Sequence, residues 1–140
     1  MKPSSSVEIA VDSSVAIAAF ASWHEQHRTA AEICKSGPSL PAHAAVEVYS
    51  VLTRLPEPHR SDPAIVIEFL RRQFPRRLVL GSRRQRTLAE DAAALGVSAG
   101  AVYDAVIAFT CLDAAVGLAS FDARARETYF RCGVELVAHT

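Results

Sequence analysis

Apolar residues along the chain alternate between short runs rich in β-branched residues and longer stretches with helical spacing. "VEIAV" (7–11) predicts a strand, and "SVAIAAF" just after it predicts a helix. Ser22, with Glu25 three residues on, reads as a capping box that opens a helix running to about Lys35, ahead of Gly37-Pro38. "SLPA" (39–42) predicts a short extended piece, and "HAAVEVYSVLTRL" (43–55) a helix that ends at Pro56. Asp62-Pro63 pairs a capping residue with a proline in the first turn, so a helix is expected from there to about Phe74, stopped by Pro75. Beyond it the pattern predicts a strand at "RLVLG" (77–81), helices at "RQRTLAEDAAAL" (84–95) and "GAVYDAVIAFTCLDAA" (100–115), and a strand at "VGLAS" (116–120). A helix at "DARARETYFR" (122–131) and a closing strand at "VELVA" (134–138) complete the series. Strands separated by helices imply a mostly parallel central sheet covered on both faces, a three-layer α/β/α architecture. No repeat, low-complexity tract or linker divides residues 1–140, so a single domain is expected.

Composition agrees with a packed core: 50% of the 140 residues are hydrophobic and 21% are charged. Cys34, Cys111 and Cys132 are odd in number and form no C-x-x-C pair, which points to buried thiols in a reducing compartment. No apolar run approaches the length of a membrane span, and "MKPSSS" lacks the core of a signal peptide, so a cytoplasmic protein is expected. Net charge is zero, but its distribution is uneven. Seven arginines lie between Arg71 and Arg86, including Arg71, Arg72, Arg83, Arg84 and Arg86. A neutral chain with one concentrated basic stretch carries its acid elsewhere.

Four of those acids sit where apolar residues are expected. Asp12 separates the first strand from the first helix, and Asp122 follows the strand "VGLAS" in the same way. Glu47 lies on the apolar stripe of its helix, read through Ala44, Val48, Val51 and Leu55, and Asp104 lies between Ala101 and Ala108. A carboxylate on a buried face is costly unless it is paired, protonated or bound to a cation. Taken singly, Asp12 and Asp122 are explained equally well as helix caps, and Glu47 as an edge residue reaching water. Taken together, they fit a site at the carboxyl ends of adjacent parallel strands, where open α/β sheets bind ligands. Four like charges in one cleft repel, and hard oxygen donors without His or Cys suit Mg2+ or Mn2+.

These residues also carry a family resemblance. "VDSSVAIAAF", "PAHAAVEVYSVL", "VYDAVIAFTCLDAAVGLASFD" and "VELVA" resemble, in order and spacing, the PIN-domain ribonucleases, especially the VapC toxins of bacterial toxin–antitoxin pairs. The resemblance covers nearly the whole chain. It implies an α/β/α fold with the first and fourth strands adjacent, and a metal site formed by Asp12, Glu47, Asp104 and Asp122. Ser13, Ser14 and Ser120 match small hydroxyl residues with supporting roles. The implied activity is Mg2+- or Mn2+-dependent endoribonuclease action, leaving a 5′-phosphate and a 3′-hydroxyl, with an antitoxin protein and a second copy of the chain as partners. Phe121 departs from the pattern, since relatives commonly carry a basic residue there. The stretch from Arg71 to Arg86 is the candidate contact for RNA phosphates or an acidic partner, and Trp23 with His24 the candidate edge of a dimer or antitoxin groove.

Other α/β readings fail on particular residues. A receiver domain needs an acidic pair after the first strand and a lysine after the last, but the lysines here are Lys2 and Lys35. A haloacid-dehalogenase phosphatase needs D-x-D where this chain has "DSS", and a dinucleotide-binding turn needs glycines that are absent. The alternative of another class is a catalytically silent PIN-like module that binds proteins.

Overall fold

A computed structural model describes residues 8–137, with elements in the order β1 (Ile9–Val11), α1 (Ser13–Phe20), α2 (His27–Cys34), β2 (Leu40–Pro41), α3 (Ala42–Arg54), α4 (Pro63–Gln73), β3 (Arg77–Leu78), α5 (Ser82–Ala94), α6 (Ala101–Asp113), β4 (Gly117–Ala119) and α7 (Ala123–Cys132). Val7 and Ala138, the outer ends of the first and last expected strands, lie outside the described residues.

β1 pairs in parallel with β4, Ala10 opposite Leu118, and β2 pairs in parallel with β3, Leu40 opposite Arg77. Single parallel bridges extend both pairs: Ala10 to Ser39, and Leu118 to Leu136 in the closing segment. The hydrogen bonds Val11 N–H to Ser39 O (3.0 Å) and Leu118 N–H to Glu135 O (2.9 Å) make these joins continuous. The strands thus run β3-β2-β1-β4-closing segment. The first and fourth strands are neighbours, as the resemblance implies. Helices cover the sheet on both faces, giving the expected three-layer α/β/α arrangement.

The strands are short, and those at the centre are buried. Ala10, Val11, Leu40, Leu118 and Ala119 are at most 1% exposed. Gly117 lies where the closing segment comes nearest: a Cβ there would stand 3.1 Å from Val137 Cγ2 and 3.4 Å from Glu135 O, so a side chain would push the segment off β4. Val15, Val48, Leu52, Val66, Leu70, Phe74 and Ile107 complete the main core. A smaller cluster of Leu88, Ala92, Val97, Ala105 and Phe109 joins α5 to α6. Cys34, Cys111 and Cys132 are unpaired, and burial pushes the Cys34 thiol up to about 11 and Cys111 up to about 12. Among the described residues no helix is long and apolar enough to cross a membrane.

Local signals succeed where the cap is real. Asp62 accepts from Ala64 N–H at 2.8 Å and Pro63 occupies the first turn of α4, as expected. Gly133 ends α7 with φ +93°, a left-handed conformation that favours glycine.

Three expectations are corrected. α2 begins at His27 without a side-chain cap, because residues 21–26 form turns in which Ser22 and Glu25 are exposed. The strand expected over 77–81 is hydrogen-bonded only at Arg77–Leu78, and Val79 lies 74% exposed. α3 buries Ala44, Ala45, Val48 and Leu52, so its inward stripe is rotated from the one read in the sequence.

Phe74 is fully buried at the end of α4, edge-on to Phe69 with ring centroids 5.9 Å apart. Phe74→Ala is expected to lower stability by about 3–5 kcal/mol in denaturant titration, since the large buried ring leaves a cavity between α4 and the sheet.

Candidate active site at the carboxyl ends of β1 and β4

Asp12 follows β1 directly and is only 2% exposed. It is the N-cap of α1: Oδ1 accepts from Ser14 N–H at 3.0 Å, Val15 N–H at 3.3 Å and Ser14 Oγ–H at 2.6 Å. Oδ2 accepts from the phenol of Tyr129 at 2.9 Å. Burial nevertheless raises the carboxyl above its ordinary range, against the opposing pull of hydrogen bonds from Ser120, Ser14, Tyr129 and the Val15 backbone. A cap on an exposed helix start would carry no such penalty.

β4 delivers the second half of the site. Asp12 N–H bonds to Ala119 O at 3.2 Å, which ties the ends of β1 and β4 together. Ser14 Oγ accepts from Phe121 N–H at 2.9 Å, and Ser120 Oγ accepts from Asp122 N–H at 3.1 Å. Those two hydroxyls hold the turn after β4. Asp122 is exposed and caps α7, accepting from Arg124 N–H at 3.0 Å and Ala125 N–H at 3.1 Å.

α3 and α6 bring the other two acids. Burial, then the charges of Asp104 and Asp12, push Glu47 up to about 7, while a hydrogen bond from Ser13 opposes the rise. Burial, then the charges of Asp122 and Asp12, push Asp104 up to about 6. Every charged neighbour acting on Glu47 and Asp104 is another carboxylate. The four acids that the sequence singled out therefore act on one another electrostatically, and Arg126 stands at the edge of the group, donating to Ser120 O at 3.1 Å. Among the described residues no three carboxylate, histidine or cysteine side chains are drawn tightly enough to close on one ion as they stand. The donor set nonetheless fits a hard divalent cation: oxygen donors only, with excess negative charge.

Sequence reasoning missed Tyr129. It is 1% exposed on α7, and burial first, then its contact with Asp12 and the charges of Asp104 and Glu47, raise its phenol, so it remains a hydrogen-bond donor beside the acids. Its spacing of four from Ala125 marks an inward-facing position, but nothing local announces a bond reaching back to Asp12.

The arginine stretch is divided in its roles. Arg84 pairs with Asp113 (3.2 Å) and Asp91 (3.7 Å) and lies over the Phe109 ring at 4.5 Å, so it locks α5 onto α6. Arg72 pairs with Glu68 at 3.7 Å. Arg71, Arg83 and Arg86 are exposed. Trp23 is 50% exposed and stacks on His59, ring centroids 4.2 Å apart. A groove of about 420 Å3 lies beside the acids rather than among them, lined by His43, Val46, Val79, Gln85 and Tyr103.

A PIN domain family model matches residues 9–131. The chain is 46% identical over 129 residues to Ribonuclease VapC40 of Mycobacterium tuberculosis, covering 91% of this chain and 96% of that protein. It is 38% identical over 138 residues to Ribonuclease VapC27 of the same organism, covering 98% of each. Two solved structures are similar in fold. FitAcB from Neisseria gonorrhoeae has a TM-score of 0.69 at 17% identity, covering 93% of this chain and 96% of that one. PAE2754 from Pyrobaculum aerophilum has a TM-score of 0.58 at 18% identity, covering 87% and 86%.

Raised carboxyl values favour the protonated forms in the folded protein. Their stabilisation is complete below the unfolded carboxylate range and is lost as pH rises through about 6 for Asp104 and about 7 for Glu47. Without divalent cations the melting temperature is expected to fall between roughly pH 5 and pH 8. Glu47→Gln should flatten that profile and exceed the wild type at the alkaline end, checked by thermal denaturation in a chelating buffer.

Proposed function

Because the chain belongs to the PIN domain family, we propose that it is a Mg2+- or Mn2+-dependent endoribonuclease, the toxin of a toxin–antitoxin pair, acting as a single domain. The observation that carries this reading is the gathering of Glu47 and Asp104 beside Asp12 and Asp122, each acid raised by burial and by the charges of the others. The names of the two Mycobacterium tuberculosis relatives supply the reaction class.

Asp12, Glu47, Asp104 and Asp122 are the residues that would hold the cation. When bound, it lowers the pKa of an attacking water and offsets the charge of the scissile phosphate. Asp12 is held on both oxygens before any ligand arrives, which limits the reorganisation that binding requires. Ser13 orients Glu47, while Ser14 and Ser120 fix the turn that presents Asp122. The expected products carry a 5′-phosphate and a 3′-hydroxyl. Arg71, Arg83 and Arg86 are the exposed cations available to RNA phosphates. A cognate antitoxin and a second copy of the chain complete the partners, in the cytoplasm. The exposed Val46 (66%), Val79 (74%) and Tyr103 (60%) around the neighbouring groove support a protein partner on that side.

The test follows cleavage of total RNA by metal-stripped protein after adding Mg2+ or Mn2+. Asp104→Asn is expected to lower cleavage by about 100-fold or more, because a ligand carboxylate is replaced by a neutral amide. Equal cleavage by both proteins would identify a contaminating nuclease. Metal binding without cleavage of any RNA would favour the catalytically silent interaction module.

A further inference from the structure

Asp12 is a buried acid with two unlike oxygens. Oδ1 is committed to the start of α1, where it accepts three hydrogen bonds from Ser14 and Val15. Oδ2 is the oxygen left to decide how the carboxylate meets a cation, and the phenol of Tyr129 donates to it at 2.9 Å. Tyr129 is 117 positions away in the chain and is brought there by α7, the helix that Asp122 caps. One helix thus carries an acid of the cluster at its start and the hydroxyl that holds another acid near its end.

We propose that Tyr129 is a positioning residue for the metal site, fixing Asp12 Oδ2 so that its remaining acceptor capacity faces the cleft shared with Glu47 and Asp104. The inference rests on the metal-dependent reading above. A carboxylate's rotation about its last bond is soft, so the bonds to Oδ1 leave the group free to tilt about that oxygen. The hydrogen bond from Ser120, together with the phenol 2.9 Å from Oδ2, restricts that tilt. Hydrogen bonds to ligating carboxylates are the kind of outer contact whose loss weakens metal binding by about 10–100-fold. The phenol suits this task better than a cation would, because it steadies the carboxylate without neutralising the charge that attracts the metal.

Packing offers a competing account, since Tyr129 is 1% exposed and belongs to the main core. Two substitutions separate the two. Tyr129→Phe keeps the ring and removes the hydroxyl, whereas Tyr129→Leu removes both. Mn2+ binding to metal-stripped protein is measured by titration calorimetry and by the electron paramagnetic resonance of free Mn2+, alongside melting temperatures in chelator. Both variants are expected to weaken Mn2+ binding by about 10-fold or more, while only Tyr129→Leu lowers the melting temperature markedly. Wild-type Mn2+ affinity in Tyr129→Phe would overturn the proposal, as would affinities that track melting temperature instead of the hydroxyl. A wild-type protein that binds no Mn2+ would overturn the metal reading itself, and this inference with it.

Discussion

The burial of one carboxylate sets the terms for the rest of the molecule. Asp12 is almost wholly removed from water, at a cost that no ion pair among the described residues offsets. It is tolerated because the structure surrounds it with donors: the first turn of α1, the hydroxyl of Ser14 and the phenol of Tyr129. Each donor comes from a different requirement of the fold. α1 must start at this point, β4 must lie beside β1 so that Ser14 can take Phe121 N–H, and α7 must pack back far enough to deliver Tyr129. Sheet order and helix placement are therefore also the means of satisfying Asp12. The opening conflict between cap and site residue dissolves, since Asp12 caps α1 with one oxygen and has the other held for different work.

Much of this was legible because the signals are local. Short apolar runs mark β1 and β4, the acids that follow them stand out against apolar neighbours, and Asp62-Pro63 fixes the start of α4 through a cap two residues long. The failures are equally physical. Ser22 and Glu25 have the spacing of a capping box, but the chain turns there to set Trp23 against His59, a residue far along the sequence. The stripe on α3 is rotated because small Ala45 and Leu52 meet the sheet, and contact with α1 and α4 decides that rotation. Within its helix Tyr129 is one more inward residue. Only the tertiary structure joins it to Asp12.

Part of the positive charge is spent on holding the fold together, with Arg126 bonded at the site turn to Ser120 O at 3.1 Å. Arg84, central to the basic stretch, is drawn onto Asp91, Asp113 and the face of Phe109, so its charge serves the joint between α5 and α6. Arg76 reaches Glu8 at 3.1 Å and Gly37 O at 2.8 Å, and Arg77 bonds to Phe74 O at 2.8 Å. A count of arginines in the sequence therefore overstates the cations available to a nucleic acid. The exposed Arg71, Arg83 and Arg86 remain, on α4 and α5.

An arginine among the four acids would stabilise their charged forms, lower the carboxyl values and lessen the need for any other cation. The charges that raise Glu47 and Asp104 are those of other carboxylates, so protons or a cation from outside would relieve their repulsion. A cation bound there would compete with protons for the same oxygens across the neutral pH range, tying its occupancy to pH. The exposed Arg71, Arg83 and Arg86 stand on α4 and α5, elements that carry none of the four acids, so they do not enter that competition.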